Sequence, residues 1–184
     1  MEIKNIINDL PYNKNQRIRW NRRKLSDIKV VVVHQFLSTG TVEAVNNFHI
    51  TPSPDNQLDS ENGAPHIAYH FCIRSTGEIV QCNELTDITW HCKKYNKSGI
   101  GIALQGSFSS KEINFVGKSK NGTPIDVQLE SLQQLLNYLV ENFKNGIYGH
   151  CELQVKPSCP GDVVLEFLKK FREDVNDIRE KVDR

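Results

Sequence analysis

No stretch of these 184 residues is apolar for long enough to cross a bilayer. The opening residues, MEIKNIINDLPYNKN, contain no continuous apolar core and do not read as a secretory signal. The chain is therefore expected to be cytoplasmic as synthesised, unless it is released or exported. Neither sign of charge is in excess: 23 Lys and Arg stand against 22 Asp and Glu, a net charge of +1. That excludes a global electrostatic footprint for nucleic acid or an anionic membrane surface. The locally basic run Arg17–Lys24, RIRWNRRK, reads as a solvated leading segment. Cysteine is too sparse and too odd in number for a disulfide framework: Cys72, Cys82, Cys92, Cys151 and Cys159 leave at least one thiol unpaired. Internal repeats and low-complexity tracts are also missing.

What remains is enough for one domain with a full-sized core. Apolar residues make up 38% and mean hydropathy is −0.48, values of a soluble globular chain. KVVVVHQ (29–35) is β-branched and short, which suits a buried strand ending on His34. Thr41 is placed to cap a short helix over VEAVNNFHI. Residues 51–65, rich in Pro, Asp, Asn, Ser and Gly, read as a loop. HIAYHFCIRSTGEIVQC turns at STGE and reads as a β-hairpin, and GIGIALQGSF as a further buried strand whose glycines allow close backbone approach. The clearest helix has Thr123 as N-cap and Pro124 in its first turn. Leu129, Leu132, Leu136, Leu139 and Phe143 mark its apolar face, and Gly146 ends it. A last helix begins near Asp162. Strands interspersed with helices imply an α/β fold: a single domain with a central mixed β-sheet flanked by helices. Residues 1–27 are expected to wrap the domain edge, residues 28–172 to form the domain, and residues 173–184 to extend the last helix.

The stretch GHCELQVKPSCPGD (149–162) brings a histidine, a lysine and a cysteine up to a Pro-Gly break. On residue types alone it could be a metal site, a nucleophile with its base, or an ordinary loop. VVVHQ, IAYHFCIRSTGEIVQ, WHCKKYNKSGIGIALQG, TPIDVQLESLQQLL and YGHCELQVKPSCPGD follow one another in an order that resembles the zinc-dependent N-acetylmuramoyl-L-alanine amidases. The resemblance covers roughly residues 27–170 and implies the fold that family shares with peptidoglycan recognition proteins and phage lytic amidases. It further implies Zn2+ held by His34, His150 and Cys159. Two imidazoles and a thiolate suit zinc and leave a fourth position open to water, as in catalytic rather than structural sites. His49, His66 and His70 are read as structural, and the other four cysteines as ordinary thiols.

The resemblance also implies a catalytic role for Tyr69, whose phenol would donate to the scissile carbonyl as charge develops on its oxygen. Lys156 is the second catalytic candidate. In phage amidases the lysine lies two residues before the last ligand, whereas here Pro157 holds that slot and Lys156 precedes Cys159 by three. The altered loop either aims it at the oxyanion or leaves it solvated. Some recycling amidases carry a glutamate where this chain has Ala103, which favours zinc–tyrosine chemistry. His91, Trp90 and Asn96 match the substrate-facing loop and are expected to bind glycan and stem peptide.

The implied activity is hydrolysis of the amide between N-acetylmuramic acid and the L-alanine of the peptidoglycan stem, the work of a cell-wall lytic amidase. The alternatives are a cytosolic muropeptide-recycling amidase and a non-catalytic peptidoglycan-binding module. Relatives of the last kind typically lose the cysteine ligand, which this chain keeps. The partner is thus peptidoglycan or a muropeptide, with no nucleic acid and no membrane insertion. Val164, Leu168, Phe171, Val175, Ile178 and Val182 alternate spacings of four and three. They are expected to pack back on the domain of a monomer, the alternative being a dimer seam.

Overall fold

The computed structural model describes residues 1–15, 17–110, 124–143, 146–154 and 159–182, with side chains up to residue 176. Its strands are β1 (Ile3–Asn5), β2 (Val30–Gln35), β3 (Phe71–Ile73), β4 (Ile79–Gln81), β5 (Gly99–Leu104) and β6 (Gly146–Gly149). Its helices are α1 (Val42–Ile50), α2 (Pro124–Phe143), α3 (His150–Leu153) and α4 (Asp162–Val182). The strands form one six-stranded sheet in the order β1-β4-β3-β5-β2-β6. Only the β3–β4 hairpin is antiparallel; every other pairing is parallel. The expected mixed sheet is present.

The β-branched run of β2 lies between β5 and β6, where parallel strands are covered on both faces. Alternation along the strand splits its side chains between those faces. Val31 and Val33 join Ile100, Ile102 and Leu104 of β5 in a core under α2 and α4. In α2, Leu132, Leu135, Leu136 and Leu139 are fully buried against them. From α4, Val164, Leu168 and Phe171 enter the same core and Val175 packs on its edge. The described part of the last helix therefore lies back on the domain. On the other face α1 sits near a smaller cluster of Val42, Ile67, Cys72, Val80, Cys82 and Ala103. His34 pairs with Ala103 across β2 and β5, and so opens on that second face.

Thr41 caps α1 as expected, its hydroxyl accepting from the Ala44 amide at 3.3 Å. Thr123 lies outside the described residues. Two expectations need correction. Helix α2 stops at Phe143, and Gly146 does not cap it but starts β6, its amide donating to Lys29 O. From Gly146 onward the chain pairs in parallel with β2, Gly146 against Val30. The basic segment is also not simply solvated: Trp20 and Arg23 are buried, each 8% exposed. Burial is possible because the Arg23 guanidinium donates to the carbonyls of Leu85, Asn96 and Gly99. Upstream of it, β1 adds the edge strand of the sheet beside β4.

Candidate metal centre and its cleft

His34, His150 and Cys159 converge from three parts of the chain. A rigid central strand delivers His34 at its C-terminal end. His150 opens the short helix α3 directly after β6, the other parallel neighbour of β2. Its turn is braced from behind: Glu152 accepts from the Gly149 amide at 2.7 Å and is gripped by both Nη atoms of Arg172 at 2.9 and 3.0 Å. Cys159 is tied to the same helix through its carbonyl, which accepts from the Cys151 amide at 2.9 Å. Gly161, two residues on, holds φ at +93°, and a Cβ there would lie 2.4 Å from the Phe108 backbone. No other residue fits that turn.

The three candidate ligand atoms lie within 4.8 Å of one another, the one such group that the described residues contain. Cys159 Sγ is 3.7 Å from His34 Nδ1. Tetrahedral bonds of about 2.3 Å to sulfur and about 2.0–2.1 Å to nitrogen put those atoms about 3.6 Å apart. The donor set and its spacing therefore fit zinc. On both imidazoles Nε2 faces an outer partner: His34 Nε2 is 3.2 Å from His91 Nδ1, and His150 Nε2 is 3.3 Å from Gln154 Oε1. Burial, and then the nearby His91 and His150, hold His34 well below the usual imidazole pKa. It is neutral at physiological pH, the form that can ligate a metal.

The site opens into a cleft of about 480 Å³. Tyr69 lines it, its ring centre 5.2 Å from that of His34. Burial, with smaller contributions from Cys159 and Cys72, pushes the Tyr69 phenol well above its usual pKa. It stays protonated and can donate a hydrogen bond. Trp90 and Asn96 border the same cleft, and Asn96 Oδ1 closes their loop by accepting from the Cys92 amide at 2.6 Å. His91 is deeper, 6% exposed, with one ring nitrogen at His34 and the other 3.3 Å from Gly99 O. Lys156 lies outside the described residues.

The remaining histidines have structural partners. His70 Nδ1 accepts from the Gly101 amide at 3.0 Å, and its Nε2 lies 3.0 Å from Asp87 O. His66 Nδ1 contacts Asn83. His49 Nδ1 accepts from the Ala68 amide at 3.1 Å, which fixes the backbone just before Tyr69. Sequence reasoning missed the apolar wall of the cleft, where Phe36, Leu37, Phe48 and Leu58 gather. Phe48 and Leu37 are 47% and 49% exposed, and Leu37 adopts φ +56°, unusual for a branched side chain. An exposed phenylalanine at the end of the α1 pattern was the only signal available. Gln154 and Arg23 gave none.

The sequence matches the N-acetylmuramoyl-L-alanine amidase family, Amidase_2, over residues 24–162. It is 31% identical over 106 residues to the endolysin of Escherichia phage T7, an alignment covering 56% of this chain and 65% of that one. The chain thus spans a little under two thirds of the length of that relative. Among solved structures, the amidase LysC from Clostridium intestinale URNW superimposes with a TM-score of 0.65 at 19% identity, covering 96% of this chain and 98% of the other. Peptidoglycan recognition protein-LE, solved with tracheal cytotoxin, gives a TM-score of 0.66 at 19% identity, with 91% and 92% covered. These likenesses establish the fold, and the match across residues 24–162 establishes the lineage: the chain belongs to the N-acetylmuramoyl-L-alanine amidase family.

Proposed function

We propose that this protein is a zinc-dependent amidase that cleaves the bond between the lactyl group of N-acetylmuramic acid and the L-alanine of the peptidoglycan stem. The observation that carries this reading is the convergence of His34, His150 and Cys159 at zinc-ligand spacing on the floor of an open cleft. When bound, zinc supplies Lewis acidity and an activated water at neutral pH. The chain's own residues do the rest. Tyr69, protonated and beside His34, donates to the carbonyl oxygen as negative charge builds on it. Trp90 and Asn96 border the groove where glycan and stem peptide lie, His91 forms its base, and the apolar wall at Phe48 and Leu58 faces them. Lys156 is proposed as a second cation for the same oxygen. Ala103, fully buried, leaves no carboxylate on β5 beside His34, so Tyr69 is the proposed side-chain donor next to the reacting carbonyl. Residues 28–172 form the catalytic unit in this reading, with 1–27 and 173–184 as its flanking segments.

Its similarity to a phage endolysin supports a lytic target, and tracheal cytotoxin, a monomeric diaminopimelic acid-type peptidoglycan, is the ligand of one structural neighbour. The test is incubation with intact sacculi and, separately, with soluble muropeptides, each with and without a chelator. New L-alanine amino termini that appear only with zinc present are expected. Binding without release of amino termini, or release indifferent to chelation, overturns the reading. The ratio of activities on the two substrates separates wall lysis from recycling.

A further inference from the structure

His91 meets the candidate metal group at His34, its Nδ1 3.2 Å from His34 Nε2. Its ring lies flat against β5 where the strand reads Gly99-Ile100-Gly101, and the alternate glycines make the room. A Cβ on Gly101 would stand 2.7 Å from His91 Cγ, and one on Gly99 would stand 3.0 Å from His91 Cε1. Both glycines share the face of Ala103, which pairs with His34, so the strand brings the two imidazoles edge to face with centres 5.3 Å apart. Gly99 O accepts from Arg23 Nη1 at 2.7 Å and lies 3.3 Å from His91 Nε2.

A carbonyl oxygen only accepts, so His91 carries its proton on Nε2. In a neutral ring Nδ1 is then an acceptor. The atom facing it at 3.2 Å is His34 Nε2, which must be the donor. With its proton on Nε2, His34 turns the bare lone pair of Nδ1 towards Cys159 Sγ at 3.7 Å. We infer that His91 is a positioning residue that fixes the tautomer and tilt of His34 through a relay starting at Gly99 O, and so prepares Nδ1 to ligate the metal before it arrives. This rests on the metal reading proposed above, but the relay exists in the zinc-free chain and can be read there. It is separate from any contact the ring face makes with substrate in the cleft it lines, because both ring nitrogens are already engaged.

The test has two arms. Long-range 1H–15N correlation spectra of the zinc-free, 15N-labelled chain report each imidazole tautomer directly. The Nε2–H form is expected for both His34 and His91. In the second arm zinc affinity is measured by competition with a chromogenic chelator. His91→Phe keeps a flat ring over the glycines but loses the acceptor, and zinc should bind about 10- to 100-fold more weakly. His91→Asn returns an acceptor oxygen near the position of Nδ1 and should recover most of that loss. An Nδ1–H tautomer of His34, parent-like zinc affinity in His91→Phe, or equal losses in both variants overturns the inference. A parent chain that bound no zinc would overturn the metal reading instead, while the spectra still decide this one.

Discussion

Arg23 and His91 meet at a single atom, the carbonyl oxygen of Gly99, 2.7 Å from one and 3.3 Å from the other. The guanidinium also donates to Leu85 O and Asn96 O at 3.0 Å each, and its Nη2 lies 3.0 Å from His70 Nε2. Burial lowers its pKa to about 10, so it keeps its charge at neutral pH. The N-terminal segment is thereby fastened to the strand and loop that carry His91 beside the candidate site.

Arg23→Met retains the apolar stem and removes the donors, which strands several buried carbonyls. The expected cost is about 3 kcal/mol of stability, read as a lowered midpoint in urea denaturation. A midpoint unchanged from the parent would show that water replaces the guanidinium without loss.

Removing one ligand tests the metal centre itself. The purified chain should carry about one zinc, as expected for a single three-ligand site. Cys159→Ser should lose it and lose hydrolysis, while the circular dichroism spectrum stays that of the parent. Elemental analysis and sacculus turbidity measure the two effects. Full activity in a metal-free preparation contradicts the expectation.

Tyr69→Phe separates oxyanion stabilisation from metal binding. Turnover should fall on the order of a hundredfold, the scale of one lost donor, with zinc content unchanged. Parent-like turnover would remove Tyr69 from the chemistry. Lys156→Ala, assayed in parallel, shows whether a lysine three residues before Cys159 takes part.

His49 predicts a particular pH dependence. Burial, then the charge of His66, depresses its pKa to about 4 in the folded chain, against about 6.5 when unfolded. Between those values the unfolded chain binds the proton and the native chain does not. Stability from this group is therefore complete above about pH 6.5 and is lost as pH falls towards 4. His49→Asn should flatten the pH–stability curve in that window by about one proton's worth of slope. An identical slope in parent and variant would place the acid sensitivity elsewhere.

The three residues proposed to hold the metal were legible because each sits beside a mark that a sequence displays: a valine run ending in histidine, a Gly-His pair, a cysteine before Pro-Gly. The hairpin and α2 were legible through periodicity. Arg23 was not, because a basic residue in a polar segment looks the same whether it meets water or buried carbonyls. His91 was read as part of a substrate-facing loop and lines the cleft, yet nothing in WHCKKYN tells which way its ring turns. That depends on the space left by Gly99 and Gly101, which only the folded strand reveals. Gly146 misled for a related reason. After an amphipathic helix a glycine reads as a stop, whereas here it starts the strand that pairs with Val30.

The glycines beneath His91 also guard the alignment of the sheet. Strand β5 aligns Gly101 with Val32 and Ala103 with His34. A slip of one residue would exchange the two faces of the strand, since side chains alternate. Ile100 and Ile102 would then stand where the imidazole lies, and Gly99, Gly101 and Ala103 would leave gaps beneath α2 and α4. Such a misaligned chain could neither fill its core nor seat the imidazole of His91 beside His34. Glycine in a strand ordinarily weakens it. Here it makes incorrect pairing incompatible with a formed pocket, so that the same small residues secure both the alignment of the sheet and the shape of the pocket.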